Sequence, residues 1–209
     1  MIDLKLHPKN YQNIAKKTAT LIKKGKVMVC PTDTVYGLIC DATNKKAVAK
    51  IFRIKKRPKN KPLPIFVKDL KMAKQIAEIN KRQEKFLKSV WPGKVTVVLK
   101  SKIRWTQSGL PVGLHPKSKI YGVDKKTVAL RIPSSPAVLN LVKHINVPLT
   151  GTSANISGKP PSGNIKEILR QFRGKKHQPD IIIDAGNLPK SKPSTVLDLT
   201  KLPYKILRL

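Results

Sequence analysis

Residues 26–38 read KVMVCPTDTVYGL, and the two halves of this stretch obey different rules. KVMVC, with its apolar run VMVC, reads as a short buried strand. PTDTVYGL follows it directly, almost uncharged and rich in hydroxyls, in a chain with 44 basic and 11 acidic residues. A turn that carries Thr32, Asp33, Thr34 and Tyr36 ahead of Gly37 either satisfies its own backbone groups or holds a ligand.

Outward from this strand and turn, helices and strands alternate. Upstream, Asn10 is placed to cap a helix with Ile14, Ala15, Leu21 and Ile22 on one face, ended by Gly25. Downstream, Asn44 is placed to cap a second helix that runs into IKKRPKNKP, where Pro58 and Pro62 forbid continuation. LPIFV reads as a strand, residues 69–79 and 83–90 as helices, and VTVVL as a strand ending at Lys100. TVALRI, a helix from Pro136 with Ser135 as cap, and VPLT come next. They are followed by a helix with Asn164 and Glu167 spaced as a capping box, then the strands DIIID and STVLDL and the extended piece YKILRL. Residues 101–126 are basic, hold Gly and Pro without apolar periodicity, and read as a long mobile loop. The expectation is one α/β domain over residues 1–209, with a twisted mixed sheet flanked by helices.

The net charge of +33 attracts polyanions, although lysines scattered over every segment are also what a compositionally biased genome produces. Aromatics make up 5% of the chain, which argues against a platform that stacks single-stranded bases. No stretch approaches the roughly 20 apolar residues of a membrane span, and no secretory signal is recognisable, so a cytoplasmic protein with no membrane partner is expected. Cys30 and Cys40 form neither a metal motif nor a disulfide framework and read as buried thiols.

Three stretches carry candidate chemistry. Besides the turn, KKRPKNKP crowds Lys55, Lys56, Arg57, Lys59 and Lys61 at a helix end stiffened by prolines, which suits phosphate as well as a solvated charged face. TGTSANISGK has small side chains that let a backbone approach a ligand, and is otherwise an ordinary polar loop. No phosphate-loop, dinucleotide or zinc-protease motif accompanies them, nor a nucleophile triad.

In order along the chain, PTDTVYGL, KKRPKNKPL, WPGKVTVVL, TVALRIP, SANISGKP and STVLDL resemble the pattern of the YrdC/TsaC family of threonylcarbamoyl-AMP synthases. The resemblance covers residues 10–208 and implies a YrdC-like domain with a large electropositive concave face. It implies a nucleotidyltransferase that makes threonylcarbamoyl-AMP and pyrophosphate from L-threonine, bicarbonate and ATP. Downstream threonylcarbamoyl-transferase proteins would pass the group to the adenosine beside the anticodon of tRNA. ATP would enter as substrate with Mg²⁺ carried on its phosphates and no dedicated protein metal site.

Mapped by motif, Thr34, Arg131 and Ser194 are the implied L-threonine contacts. Lys55 and Arg57 are the implied catalytic pair facing the triphosphate, and Lys61, Thr127, Thr152, Ser153, Asn155 and Arg208 join them in binding ATP. Lys61 stands where several members carry asparagine, and Phe66 where they carry histidine. The loop 101–126 is longer than the family's and would act as a lid over ATP or an arm touching tRNA. The chain stops one residue after Arg208, so the extra C-terminal domain of longer relatives is not expected. The alternative is a non-catalytic module binding tRNA or double-stranded RNA on the basic concave face. Carbamoyl transfer in metal-cofactor maturation uses a related domain within much longer chains.

Overall fold

Of KVMVC, Met28–Cys30 form the strand, and alternation explains why these residues and Val27 ahead of them are all apolar or small. In the computed structural model, which describes residues 2–7, 10–108, 110–112 and 119–209, Val27 and Val29 belong to one apolar cluster. Met28 and Cys30 belong to another on the opposite face. Successive side chains of a strand point to opposite faces, so a strand covered on both sides has no polar position.

The described strands are β1 (Ile2–Lys5), β2 (Met28–Cys30), β3 (Gly37–Ile39), β4 (Ile65–Phe66), β5 (Val95–Lys100), β6 (Arg104–Trp105), β7 (Pro111–Val112), β8 (Thr127–Arg131), β9 (Leu149–Thr150), β10 (Thr152–Ser153), β11 (Ile181–Asp184), β12 (Thr195–Asp198) and β13 (Lys205–Arg208). The helices are α1 (Tyr11–Lys23), α2 (Lys45–Lys55), α3 (Leu70–Ile76), α4 (Lys81–Val90), α5 (Pro136–Ile145) and α6 (Ile165–Phe172). One mixed sheet has the order β1-β11-β2-β3-β10 and a second has the order β13-β12-β5-β8-β4-β9. They meet at residues 149–153. There β9 edges the second sheet, β10 edges the first, and Gly151 between them donates its N–H to Pro64 O at 2.8 Å.

Gly151 has a steric reason. A Cβ there would meet the Phe66 ring at 2.8 Å. Residues α2 and α6 contribute, Ile51, Ile54, Ile168 and Phe172 among them, close the cluster under Val27 and Val29. Ile14, Ile22, Leu141 and Val142 of α1 and α5 pack in the cluster that holds Met28 and Cys30. Both cysteines are buried and free, and burial pushes each thiol up to about 12.

The sequence expectations hold for element type and fail at several ends. β1 and β3 were not expected as strands; YGLI pairs antiparallel with β2 through Met28–Ile39 and Cys30–Gly37. Asn10 does not cap α1 through its side chain, which accepts instead from His7 N. Ser135 spends its hydroxyl on Pro31 O rather than on α5. Asn164 caps α6, but Glu167 accepts from Ser162 Oγ instead of completing the box. The reciprocal capping box belongs to Asn80 and Gln83, which start α4 earlier than its apolar residues suggest. Of the segment 101–126, expected as a mobile basic loop, residues 109 and 113–118 lie outside the described residues. Within the rest, β6 pairs with β7, and Ile103 and Ile120 are buried in the core.

Candidate active site

The turn after β2 is closed by its own threonines. Thr32 Oγ1 donates to Val35 O at 2.6 Å and accepts from Thr34 N at 3.1 Å. Its one proton is thereby spent, so the 3.1 Å contact between the two threonine hydroxyls must use the Thr34 proton. Thr34 therefore presents itself to a ligand as an acceptor.

Asp33, between them, reaches away from the turn. Its Oδ1 accepts from Arg131 Nη2 at 2.7 Å, and its Oδ2 accepts from Ser134 N at 3.1 Å and Ser134 Oγ at 2.5 Å. Arg131 Nε donates to Gly93 O at 2.8 Å, and its guanidinium lies 5.9 Å from the Phe66 ring centroid. The two charged side chains are 4% and 9% exposed. Burial lowers the Arg131 pKa from its ordinary value, Asp33 opposes that, and Arg208 adds to it. An arginine keeps its charge through such shifts, so a fixed cation results. Nη1 has no hydrogen-bond partner among the described residues, and Arg131 lines a cavity of about 150 Å³.

Thr34 lines the same cavity. So does Ser194, whose hydroxyl meets Thr96 Oγ1 at 2.9 Å and accepts from Arg208 Nη2 at 3.1 Å. Arg208 forks onto Ser194 O through Nε at 3.0 Å and Nη2 at 2.7 Å, and partial burial lowers its pKa. Arg57, Thr152 and Ser153 complete the polar wall. Arg57 Nε and Nη2 hold Lys61 O and Pro62 O, each at 2.9 Å, which fixes the plane of its guanidinium.

Lys55 sits one layer behind. It is 2% exposed, is not among the lining residues, and donates to Ser153 O (2.6 Å), Asn155 O (2.8 Å) and Asn155 Oδ1 (3.0 Å). All three ammonium protons are thus committed to the loop that carries Ser153 and Asn155. Burial lowers its pKa to about 7, with Arg57 adding to the effect. Asn155 also stays behind the wall, its Nδ2 on Lys159 O at 2.5 Å. Lys61 is exposed and Thr127 donates to Asp124 at the far end of β8 from Arg131; neither lines the cavity.

Sequence reasoning placed Asp33 in the turn without a task. Its signal was present, since it is the one carboxylate in a neutral turn of a strongly basic chain. Gly93 O and Ser134, which complete the cradle of Arg131, left no such signal. Tyr36 lines the cavity and locks the turn to residues 185–186, donating to Gly186 O at 2.8 Å and accepting from Ala185 N at 3.0 Å. Burial pushes its phenol up to about 12. Among the described residues no Asp or Glu lines the cavity, and no three His, Cys, Asp or Glu side chains cluster as a metal site would require.

The Sua5/YciO/YrdC family model, described as Telomere recombination, matches residues 20–209. The chain belongs to the Sua5/YciO/YrdC family. It is 37% identical over 188 residues to a Methanocaldococcus jannaschii protein provisionally named a threonylcarbamoyl-AMP synthase, covering 88% of this chain and 81% of that one. It is 36% identical over 197 residues to the threonylcarbamoyl-AMP synthase of Pyrococcus abyssi, covering 91% of this chain and 52% of that one. The structure of P. abyssi Sua5 complexed with L-threonine matches with a TM-score of 0.80 at 32% identity, over 99% of this chain and 56% of that one. The chain thus spans about half the length of the P. abyssi relative. No helix among the described residues is long and apolar enough to cross a membrane.

Proposed function

We propose that this Sua5/YciO/YrdC chain is a threonylcarbamoyl-AMP synthase, a nucleotidyltransferase that uses L-threonine, bicarbonate and ATP. The observation that carries the reading is Arg131, a buried cation clamped by Asp33 and Gly93 O and turned to a small cavity it shares with Thr34 and Ser194. A carboxylate answers a fixed guanidinium, and hydroxyls answer the polar groups of a small amino acid.

In the reaction the threonine amine takes up the carbon of bicarbonate, losing water, to give a carbamate. A carbamate oxygen then bonds to the α-phosphorus of ATP as the bond to the pyrophosphate oxygen breaks. Pyrophosphate leaves and threonylcarbamoyl-AMP remains. No protein nucleophile is needed; the chain supplies position and charge. Arg131 holds the amino-acid carboxylate, Thr34 accepts from the substrate, and Ser194 closes the far side. Arg57 faces the phosphates, and Lys55 sets the Ser153–Asn155 loop on which the nucleotide lies. Mg²⁺ arrives on the polyphosphate, and transfer to tRNA is left to partner proteins.

The test is incubation with ATP, bicarbonate and labelled L-threonine, followed by separation of products. A labelled adenylate in step with pyrophosphate supports the proposal, and unlabelled AMP alone overturns it. With Arg57→Ala, turnover should fall by about 10²–10³, the loss typical of a charge-stabilising donor.

A further inference from the structure

Of the stretches that carry the family resemblance, WPGKVTVVL (residues 91–99) supplies no side chain to the reaction above. It nevertheless touches two anchors of the amino-acid site. Gly93 O accepts from Arg131 Nε at 2.8 Å, and Gly93 N donates to Ile132 O at 2.9 Å. A Cβ at Gly93 would collide with Val90 O, so this approach to Arg131 needs glycine. Beyond it, β5 runs parallel to β12, and Lys94 O accepts from Thr195 N at 3.0 Å. The pairing brings Thr96 to Ser194, hydroxyl to hydroxyl at 2.9 Å.

Either hydroxyl could donate across that distance, and burial decides between them. Thr96 is 2% exposed, and Ser194 is the one partner of its hydroxyl among the described residues. Were Ser194 the donor, the Thr96 proton would be left without an acceptor where water does not reach, which buried hydroxyls avoid. Thr96 therefore donates. Ser194 Oγ also accepts from Arg208 Nη2 at 3.1 Å, and two incoming protons fill the two acceptor positions of a serine hydroxyl. The proton of Ser194 itself is left for the cavity, which Ser194 lines and Thr96 does not.

We infer that Thr96 is a positioning residue, which holds Ser194 as a hydrogen-bond donor to an acceptor oxygen of the bound amino acid. The inference rests on the synthase reading, which makes that amino acid L-threonine. Thr34 offers the opposite polarity, because its own proton is spent on Thr32. A donor at Ser194 and an acceptor at Thr34 let the cavity tell the acceptors of a small amino acid from its donors. Thr96 fixes half of that pattern without touching the ligand.

The test is calorimetric titration of L-threonine, without ATP or bicarbonate, into the wild type and four variants. Thr96→Val keeps the volume and removes the proton, and Kd should rise about three- to tenfold, the worth of one neutral hydrogen bond. Thr96→Ser keeps the donor and should stay within about twofold of the wild type. Ser194→Ala should lose at least as much as Thr96→Val. Adding Thr96→Val to Ser194→Ala should cost nothing further, because a hydroxyl that acts through Ser194 then has nothing to act on. Additive losses in the double variant, or a loss in Thr96→Ser equal to that in Thr96→Val, would overturn the inference while leaving the synthase reading in place. No titration with the wild type would overturn both. Melting curves accompany each variant, and Thr96→Ala takes the place of Thr96→Val in the same cycle should the latter not fold.

Discussion

At the scale of the residue, the division of labour between Asp33 and Arg131 carries the most weight. Asp33→Asn keeps the shape and a contact to Ser134 but removes the charge that faces Arg131. A charge-assisted hydrogen bond contributes roughly 1.5–3 kcal/mol, so kcat/KM for threonine should fall about tenfold or more. A threonine titration of the variant checks this, with a melting curve alongside because the pair is buried. Lys55 gives a second residue-level prediction. Its pKa is about 7 in the folded protein against 10.5 ordinarily, so between these values the unfolded chain binds the extra proton. Stability therefore rises with pH through that window and is lost as pH falls through the folded value. Urea unfolding of wild type and Lys55→Met across the window should show a smaller rise in the variant. The motifs made Arg131, Thr34 and Ser194 legible, since each is a side chain at a fixed place in a pattern. What hid from the sequence was made by the fold: Asp33 meets Arg131 across 98 positions, and Lys55 meets Ser153 across the same separation.

At the scale of the element, strand and helix types followed from periodicity, while ends and pairings did not. β3 was hidden because YGLIC continues a turn, and its pairing with β2 is what turns GLI into a strand. The helix caps mislead for a related reason, since Asn10 and Ser135 found partners outside their own helices. The joint between the two sheets offers an element-level test. Gly151→Ala drives a methyl into the Phe66 ring, and overpacking of this kind costs about 1–3 kcal/mol. A lowered melting temperature is expected, and Phe66→Leu in the same chain should return part of it. Strictly additive losses in the double variant would show that the two side chains do not meet. Asn80→Ala tests the capping box, with an expected cost of about 1 kcal/mol by denaturant unfolding.

At the scale of the whole molecule, two sheets share the segment 149–153, and the cavity opens where the first sheet's turn faces Arg131 of β8, Arg208 of β13 and Ser194 just ahead of β12. That arrangement explains how PTDTVYGL can lack basic residues in a chain of +33. Thr32 and Thr34 line the cavity, while Arg57, Arg131 and Arg208 bring the charge from other elements. The motif order made the family legible, whereas the meeting of the sheets required the fold. The most direct measurement is the rate of pyrophosphate release from ATP and bicarbonate with L-threonine, with L-threoninamide, and with neither. Release that requires L-threonine and collapses with the amide, which offers Arg131 no carboxylate, is the predicted result. Release that persists without L-threonine, or is undiminished with the amide, would contradict the assignment.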